Sequence, residues 1–451
     1  MELLQGNAAD APTSDPVSTK LERIATLAEQ MPDTALFTLN HCLDRDLLHT
    51  ACIRTRKDAA VGVDGETYED FREGLFDRLD DLVNRAHDGT YRAPPVRRTY
   101  IPKGGSSTEK RPIGIPTFAD KVLQRAVAMI LEPIYEHDFH ESSYGFRPGR
   151  SAHQAIDDLR GWLNRHGGGW VLDVDVRKYF DTIDRGHLRE FLQRRVRDGV
   201  LLRLIGKWLN AGVLEEGAIS YPDEGTPQGG VISPLLANIY LHYVLDEWFE
   251  KEVKPVLAGE AKLIRFADDF VLAFTHKRDA ERVFAVLGKR FAKFGLTIHP
   301  EKTRLASFER PRRDDSSENG REKPETFDLL GFTWYWGRTR GGGWTVKTQT
   351  AADRIRRTIT RIDDWCRKHR HEPIPEQRVT LSRKLHGHYT YFARPGNYYA
   401  LSRVYQGVRR AWQKWLSRRS WKAYLSWPCF EQLLARHPLP PPRIRVNTCS
   451  G

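Results

Sequence analysis

The sequence of 451 residues is 40% hydrophobic, so it can form roughly two to four folded domains and is not that of a disordered chain. No apolar run approaches the ~18 residues of a membrane-spanning helix, and the opening MELLQGNAADAPTSDPVSTK has neither the basic nor the apolar segment of a signal peptide. The net charge of +12 indicates a polyanionic partner, and five scattered cysteines indicate reduced thiols. We therefore expect a cytoplasmic protein that associates with nucleic acid and not with a membrane.

The first third of the chain is predicted to be mainly helical. Residues 1–20 are polar and are predicted to lack fixed structure, and helical patterning dominates residues 21–87. Tyr91–Pro116 has two extended runs around a Gly-Gly-Ser-Ser tip, which predicts a basic hairpin. Asp120 is the expected N-cap of the next helix and Ser151 that of the helix after it, with a loop, SSYGFRPGR, at Ser142–Arg150 between them.

A first aspartate-bearing strand is predicted in the segment WVLDVDVRKYFDTI, Trp170–Ile183. The period of two in a strand puts Asp173 and Asp175 on one face, and Asp181 follows in a turn or helix start.

A second aspartate pair lies in LIRFADDFVLAF, Leu263–Phe274, where two apolar runs predict a hairpin with Asp268 and Asp269 at its tip. Aspartate is also a common turn residue, so the tip alone is compatible with an ordinary solvated turn. Two neighbouring strands that each bring an aspartate to one place concentrate negative charge, which favours a bound cation. Carboxylates suit Mg²⁺, and a pair of such ions serves phosphoryl transfer, so nucleotidyl transfer is the leading hypothesis.

A loop rich in glycine and proline, GTPQGGVISPLLANIY, runs into an apolar helix at Gly225–Tyr240. Gly229 and Gly230 allow close approach of a backbone or base, and Gln228 can hydrogen-bond a nucleotide edge. Simple helix initiation explains the loop equally well.

Five further elements are predicted towards the C-terminus. In chain order they are a helix at Asp279–Phe294, a strand bearing Lys302, a charged surface loop at Glu309–Glu325, a last apolar strand at Phe327–Trp336 and a basic helix at Ala351–Arg370.

The positive charge is concentrated in the last quarter of the chain. Residues 338–451 contain 24 Lys or Arg and 6 Asp or Glu, against 47 and 53 in residues 1–337. Residues 403–422 hold seven Lys or Arg, no acid, and the aromatic residues Tyr405, Trp412, Trp415 and Trp421. Such a segment suits a nucleic acid, because cations neutralise phosphates and rings stack on unpaired bases. An amphipathic helix with an aromatic core face is the alternative. The candidate RNA contacts are Arg403, Arg409, Arg410, Lys414, Arg418 and Arg419.

Seven segments, taken in order, resemble the successive motifs of the reverse transcriptases encoded by bacterial group II introns, the intron-encoded maturases. They are RPIGIPTFADKVLQ, SYGFRPGRSAHQAI, DVRKYFD, GTPQGGVISPLLANIYL, RFADDF, HPEKT and LLGFTW, and the resemblance covers roughly residues 59–445. It implies an α+β right-hand polymerase: fingers and a palm with an antiparallel sheet, then a helical thumb and maturase region. The implied boundaries are 21–160 for an N-terminal extension and fingers, 161–343 for the palm with fingers insertions, 344–435 for the thumb and maturase domain, and 436–451 for a short tail.

The resemblance also implies roles for individual residues. Asp175 and Asp268 match the family's metal-binding aspartates for two Mg²⁺ ions, with Asp269 as the adjacent carboxylate and the carbonyl of Val176 as a further ligand. Asp173 and Asp181 are expected to be structural partners instead. The residues expected around the nucleotide are Lys103, Lys110 and Arg111 at the triphosphate, Phe180 against the sugar, Gln228 beside the base and Lys302 near the leaving pyrophosphate.

Three departures from the family pattern stand out. The usual tyrosine before Ala-Asp-Asp is Phe266, which keeps the ring, so we expect polymerisation to survive. The family's YYGVPGN is YFARPGN here. Because nine residues follow Pro442, we expect the HNH endonuclease of some relatives to be absent. This compact form resembles the bacterial IIC class.

The expected function is RNA-directed DNA synthesis combined with maturase binding of a group II intron RNA, supporting splicing and retrohoming by target-primed reverse transcription. The expected partners are intron RNA, an RNA template with a DNA or RNA primer, target DNA and dNTPs. Two alternatives stay open: a splicing cofactor with little polymerase activity, and a domesticated reverse transcriptase in phage defence.

Overall fold

The computed structural model describes residues 16–102, 110–215, 217–221, 225, 229–311, 325–420 and 422–444. Within these ranges the chain combines helices with three sheets, and strand pairing is antiparallel except between two strands of the first sheet. The predicted α+β class is confirmed. The helices are α1 (Pro16–Gln30), α2 (Arg45–Arg54), α3 (Tyr68–Phe71), α4 (Leu75–Asp88), α5 (Phe118–Asp138), α6 (Ala152–His166), α7 (Arg185–Arg195), α8 (Gly199–Leu209), α9 (Ser233–Leu241), α10 (Lys277–Lys293), α11 (Ala352–Lys368), α12 (Ile374–Phe392), α13 (Tyr398–Leu416) and α14 (Trp427–Arg436).

Strands group into a first sheet, a central sheet and a third sheet, with the orders β2-β1-β4-β5, β6-β7-β3-β8 and β11-β10-β9. Their bounds are β1 (Val96–Pro102), β2 (Lys110–Ile115), β3 (Trp170–Asp175), β4 (Val213–Glu215), β5 (Ala218–Ser220), β6 (Ala261–Phe266), β7 (Asp269–Phe274), β8 (Arg304–Ser307), β9 (Phe327–Leu329), β10 (Phe332–Arg338) and β11 (Trp344–Thr350).

The N-terminal expectations are met in outline and wrong in two details. β1 and β2 form the predicted basic hairpin. However, α1 begins at Pro16, so residues 16–20 are helical, whereas residues 1–15 lie outside the described part. Ser151 caps α6 as predicted, but Thr117 and not Asp120 caps α5, because its hydroxyl accepts from the Asp120 amide. The Asp120 carboxylate is buried instead, where it accepts a hydrogen bond from the Tyr91 hydroxyl and burial raises its pKa to about 7.

The central sheet is covered on both faces, as its apolar strands require. Alternate residues, such as Leu172 and Leu272, pack against α9 and α10 in the largest core cluster. Residues of the opposite face, such as Val171 and Val271, pack against the third sheet and α6. The open end of this second face carries the aspartates.

The third sheet corrects two sequence expectations. The apolar run Phe327–Trp336 is not one strand, because a turn at Leu330 and Gly331 divides it into β9 and β10, with φ of 53° and 78°. It is also not the last strand, since β11 pairs with β10 along seven residues. Of the charged loop predicted at 309–325, residues 312–324 lie outside the described part.

Helices α11 to α14 form their own apolar cluster, with Leu385, Leu401 and Trp412 fully buried. The predicted basic helix at Ala351–Arg370 is α11. No helix in the described ranges is long and apolar enough to span a membrane.

A buried ion pair anchors the β6–β7 hairpin. The Arg265 guanidinium donates to Asp246 at 2.8 and 2.5 Å, and neither side chain is exposed to solvent. It also donates to the side-chain oxygen of Asn238 at 2.9 Å and to the carbonyl of Ala267 at 3.2 Å. Ala267 is held at φ 58° in the turn, so the guanidinium fixes the turn that carries Asp268.

We expect Asp246→Ala to destabilise the fold by about 3–5 kcal/mol, because it leaves a buried guanidinium without its counter-charge. Chemical denaturation followed by fluorescence would measure the shift of the unfolding midpoint. The matched control is Asp58→Ala, which breaks the exposed pair with Arg56 and should leave the midpoint unchanged. Equal midpoints for both variants would contradict the anchoring role.

Candidate active site

The strand register places two of the predicted carboxylates side by side. Asp175 lies opposite Asp269 across β3 and β7, and Asp269 lies opposite Phe266 across β7 and β6. Directly opposed residues of antiparallel strands project to the same face, about 5 Å apart. Phe266, Asp269 and Asp175 therefore form one row, which we call the carboxylate row, and Asp268 adjoins it in the turn before β7.

Negative charge accumulates at this row. Desolvation of the carboxyl group, followed by the charges of Asp268 and Asp175, raises the pKa of Asp269 to about 6, although the residue is exposed to solvent at the start of β7. Burial also raises the pKa of Asp268, with a further contribution from Asp175. Both shifts are opposed by donors or cations, including the Leu330 amide at Asp269 and Arg111 near Asp268. A bound cation would relieve the remaining repulsion.

The backbone of Val176 faces the same place. The carbonyl of Asp175 accepts from the His299 amide and the amide of Arg177 donates to the Thr297 carbonyl, both at 2.8 Å. Backbone groups of successive strand residues point to opposite edges, so the carbonyl of Val176 points away from Ile298 and towards the Asp268 turn.

Lys302 takes a position that the sequence did not predict. Its ammonium nitrogen lies 2.9 Å from Asp175 Oδ2, and both side chains are about half exposed. The expected strand is wrong at this residue, because Lys302 lies in a turn and β8 begins only at Arg304. The ammonium group of Lys302 thus already neutralises part of the charge at the Asp175 end of the carboxylate row.

The donor set fits a magnesium ion that is completed by substrate. No three His, Cys, Asp or Glu side chains among the described residues form a ready-made metal site. Mg²⁺ in phosphoryl-transfer sites, however, is bound by one or two carboxylates together with substrate phosphates. Asp175, Asp268 and the carbonyl of Val176 supply such oxygens, and the ammonium of Lys302 demonstrates that a cation is accommodated beside Asp175.

Asp173 and Asp181, predicted as structural partners, flank the row. Asp173 lies one row deeper in the sheet, opposite Val271 and Arg304, and burial raises its pKa to about 7. Burial also raises the pKa of Asp181, which Lys178, Arg98 and Arg111 oppose. Their structural role stays a prediction.

The nucleotide-site candidates are brought together only in part. Arg111 lies close enough to the row for its charge to oppose the raised pKa of both Asp268 and Asp181. Lys110 is exposed at the start of β2. The ring of Phe180 is partly buried in a short 3₁₀ turn after β3, with its centroid 5.4 Å from that of Tyr179. Lys103 and Gln228 lie outside the described residues.

The described ends of the loop that contains Gln228 are clamped between β2 and the turn after β3. The Gly225 amide donates to the Ile183 carbonyl at 3.0 Å. A Cβ on Gly229 would lie 2.4 Å from the Gly114 carbonyl oxygen. The Val231 amide donates to the buried side-chain oxygen of Gln124 at 2.8 Å. Sequence reasoning missed Gln124; its only signal was a polar residue inside the apolar run of α5.

The basic residues of α13 and of the turn after it differ in the partners that the described part of the chain offers them. Arg409 pairs with Glu431, Lys414 with Asp363 at 2.9 Å, and Arg419 donates to the carbonyls of Arg370 and Glu372 while burial lowers its pKa. Arg418 lies over the Trp415 ring. Arg403 and Arg410 are exposed on one face, which begins with Tyr399, 84% exposed.

The aromatic residues of this segment follow the core alternative. Trp412 is fully buried and donates to Gln377 at 2.9 Å, so it cannot stack on a base. Tyr405 and Trp415 are partly buried against the same cluster. Trp421 lies outside the described residues.

The family model "Reverse transcriptase (RNA-dependent DNA polymerase)" matches residues 101–334, which include β2 and all three aspartates. The chain belongs to the reverse transcriptase family.

Comparison with individual proteins indicates which reverse transcriptases this chain resembles. It is 40% identical over 299 residues to the group II intron-encoded protein LtrA of Lactococcus lactis subsp. cremoris, covering 65% of this chain and 48% of the relative. It is 40% identical over 208 residues to protein YkfC of Escherichia coli K12, covering 46% and 53%. It is 30% identical over 177 residues to the mitochondrial nuclear intron maturase 2 of Arabidopsis thaliana, covering 30% and 24%. The predicted resemblance to group II intron reverse transcriptases is confirmed. The chain spans about half the length of the two bacterial relatives, and the IIC class stays a prediction.

Gln124 gives a test of how the nucleotide loop is held. We expect Gln124→Leu to raise the KM for dNTP about tenfold in primer extension, because the half-buried Val231 amide loses its acceptor. The dissociation constant of the primer–template should not change, since the contact lies on the nucleotide side. Gln124→Glu keeps an acceptor oxygen and is the matched control. A KM unchanged by the leucine would mean that the loop is held without Gln124.

Proposed function

We propose that this reverse transcriptase is an RNA-directed DNA polymerase that extends a DNA or RNA primer on an RNA template with dNTPs. The observation that carries the proposal is the carboxylate row: Asp175 and Asp269 directly opposed, Asp268 adjoining them, and the cationic strand β2 close by. That arrangement lies within the span that matches the family.

Asp175, Asp268 and the carbonyl of Val176 are the proposed ligands of two Mg²⁺ ions, with Asp269 beside them. When bound, the ions stabilise the attacking and leaving oxygens of phosphoryl transfer. The chain's own part is positioning: the primer 3′-hydroxyl and the α-phosphate of the dNTP must meet at the row in a reactive geometry.

The remaining candidates line the path of the nucleotide in this proposal. Arg111, with Lys110 and Lys103, neutralises the triphosphate, since the charge of Arg111 already reaches Asp268 and Asp181. Phe180 packs against the sugar and leaves no room for a 2′-hydroxyl, and Gln228 contacts the nucleotide edge. With a metal ion at Asp175, Lys302 would be released from that carboxylate and would assist the leaving pyrophosphate.

In this assignment the first sheet belongs to the fingers and the central sheet to the palm, with residues 344–435 as the thumb and maturase domain. The proposed boundaries are 21–160 for the N-terminal extension and fingers and 161–343 for the palm, in which β4 and β5 of the first sheet belong to a fingers insertion.

We further propose that the protein binds a group II intron RNA as a maturase and supports its splicing, with target DNA as the partner in retrohoming. The specific observation is the exposed face of α13 formed by Tyr399, Arg403, Gln406 and Arg410, since α13 contains no acidic residue. Unpaired cations with an exposed ring suit a polyanion with unstacked bases.

We expect Asp268→Ala and Asp175→Ala each to lower primer extension on an RNA template at least roughly a hundredfold, because each removes a proposed metal ligand. Purified protein with Mg²⁺ and dNTPs provides the assay, and Asp77→Ala, at an exposed site on α4, is the matched control. Retained turnover in the double aspartate variant would refute the site. No synthesis by the wild type would favour the splicing-cofactor alternative.

We expect the double variant Arg403→Gln and Arg410→Gln to bind intron RNA about tenfold more weakly. Its log–log salt dependence should be shallower by about 1.4, near 0.7 for each of the two lost contacts to single-stranded RNA. Filter binding at several salt concentrations and splicing in vitro would measure both effects. The matched control neutralises Arg278 and Arg282, two exposed residues of α10 on the far side of the palm. Equal losses in both variants would mean that only total charge matters, and Asp268→Ala should splice normally.

A further inference from the structure

The loop before α6 holds a phenylalanine in an unfavourable backbone conformation. Phe146 has φ of 55°, in the left-handed region that bulky residues rarely adopt, and its side chain is 58% exposed. A strained, exposed apolar residue persists only when the surrounding structure enforces its conformation, and such sites are often functional.

The enforcing contacts lie on both sides of Phe146. The buried Arg147 guanidinium donates to Glu136 and to the carbonyls of His140 and Ser143, the last two at 2.7 Å. The carbonyl of Gly145 accepts from Asn238 at 2.6 Å. A Cβ on Gly145 would lie 2.3 Å from the Ala267 nitrogen, so the loop backbone presses directly on the β6–β7 turn.

These contacts present the Phe146 ring beside the carboxylate row. Its centroid lies 6.4 Å from that of Phe266, which is itself the first member of the row. Phe146 therefore extends the row by one side chain, in the order Phe146, Phe266, Asp269 and Asp175. The two rings, which we call the aromatic step, form an apolar surface that ends at the carboxylates.

The nucleotide-site candidates lie at the other end of the row. Phe180 lies in the short 3₁₀ turn that follows β3, and Gly225 packs against the backbone of Asp181 in the same turn. The incoming nucleotide and the primer end must reach the carboxylates from different sides, because their reacting atoms meet there. The aromatic step thus lies at the end of the carboxylate row that is opposite the nucleotide-site candidates.

We propose that Phe146, together with Phe266, is a positioning residue that packs against the 3′-terminal nucleotide of the primer and aligns it with the carboxylate row. This inference rests on the proposed polymerase function. The ring does not take part in bond making, and it acts by holding the primer end.

The test separates the ring from the backbone. Phe146→Gly removes the ring and also relieves the positive φ, so the variant should unfold at no lower temperature than the wild type. The dissociation constant of the primer–template, measured by fluorescence anisotropy, should nevertheless rise about tenfold, while the KM for dNTP stays unchanged. Phe146→Tyr keeps the ring and should bind as the wild type does. The matched control is Phe284→Ala, an exposed aromatic residue of α10 on the opposite face of the central sheet.

The outcomes distinguish this inference from the proposed function. If the wild type extends primers and Phe146→Gly binds them equally well, the aromatic step is overturned and the polymerase assignment stands. If the wild type extends nothing, both are overturned. Phe146→Asn is a second ringless variant whose residue tolerates positive φ. Weak binding by the glycine variant with normal binding by the asparagine variant would assign the effect to a loosened loop and overturn the proposal.

Discussion

The buried guanidinium of Arg265 is the constraint on which the candidate site depends. A charge inside a protein is tolerable only if it is paired and its donors are satisfied, and this one uses Asp246, Asn238 and the Ala267 carbonyl. Asn238 in turn holds Gly145, so one buried network fixes the turn before Asp268 and the loop that presents Phe146. The geometry of the candidate site is therefore determined by buried groups that lie outside the carboxylate row.

A second constraint is electrostatic. The register of β3 with β7 places Asp175 directly opposite Asp269, and the repulsion between their charges opposes folding. The protein reduces that cost with Lys302 at Asp175 and the Leu330 amide at Asp269. Because the ion pair between Lys302 and Asp175 is half exposed, Lys302 can leave Asp175 without disturbing the sheet, as the proposed metal site requires.

Local patterns were sufficient wherever one face of a strand or one cap decides the structure. The period-two run at Trp170–Asp175 and the paired apolar runs around Asp268 predicted their strands and hairpin, since burial and turn chemistry are local. Prediction failed where tertiary contacts decide. Lys302 was assigned to a strand but lies in a turn paired with Asp175, and the run Phe327–Trp336 is broken at Leu330 by a positive φ that no composition signals. Gln124 was missed because its partner, Val231, is distant in sequence.

The basic C-terminal region illustrates the same limit for function. Composition counts every cation of α13 equally, whereas a phosphate can be bound only by a cation that is exposed and not already neutralised. Arg409 and Lys414 are engaged by acids from α14 and α11, and Arg419 stabilises the connection between α11 and α12. The surplus of charge thus serves two purposes. Part of it holds the helices together, whereas Arg403 and Arg410 on the exposed face, like the exposed Arg418 over the Trp415 ring, have no acidic partner among the described residues and remain free to bind a polyanion. An estimate of affinity from all the cations of this segment would overstate the number of phosphate contacts. The measured salt dependence of binding would reveal the difference.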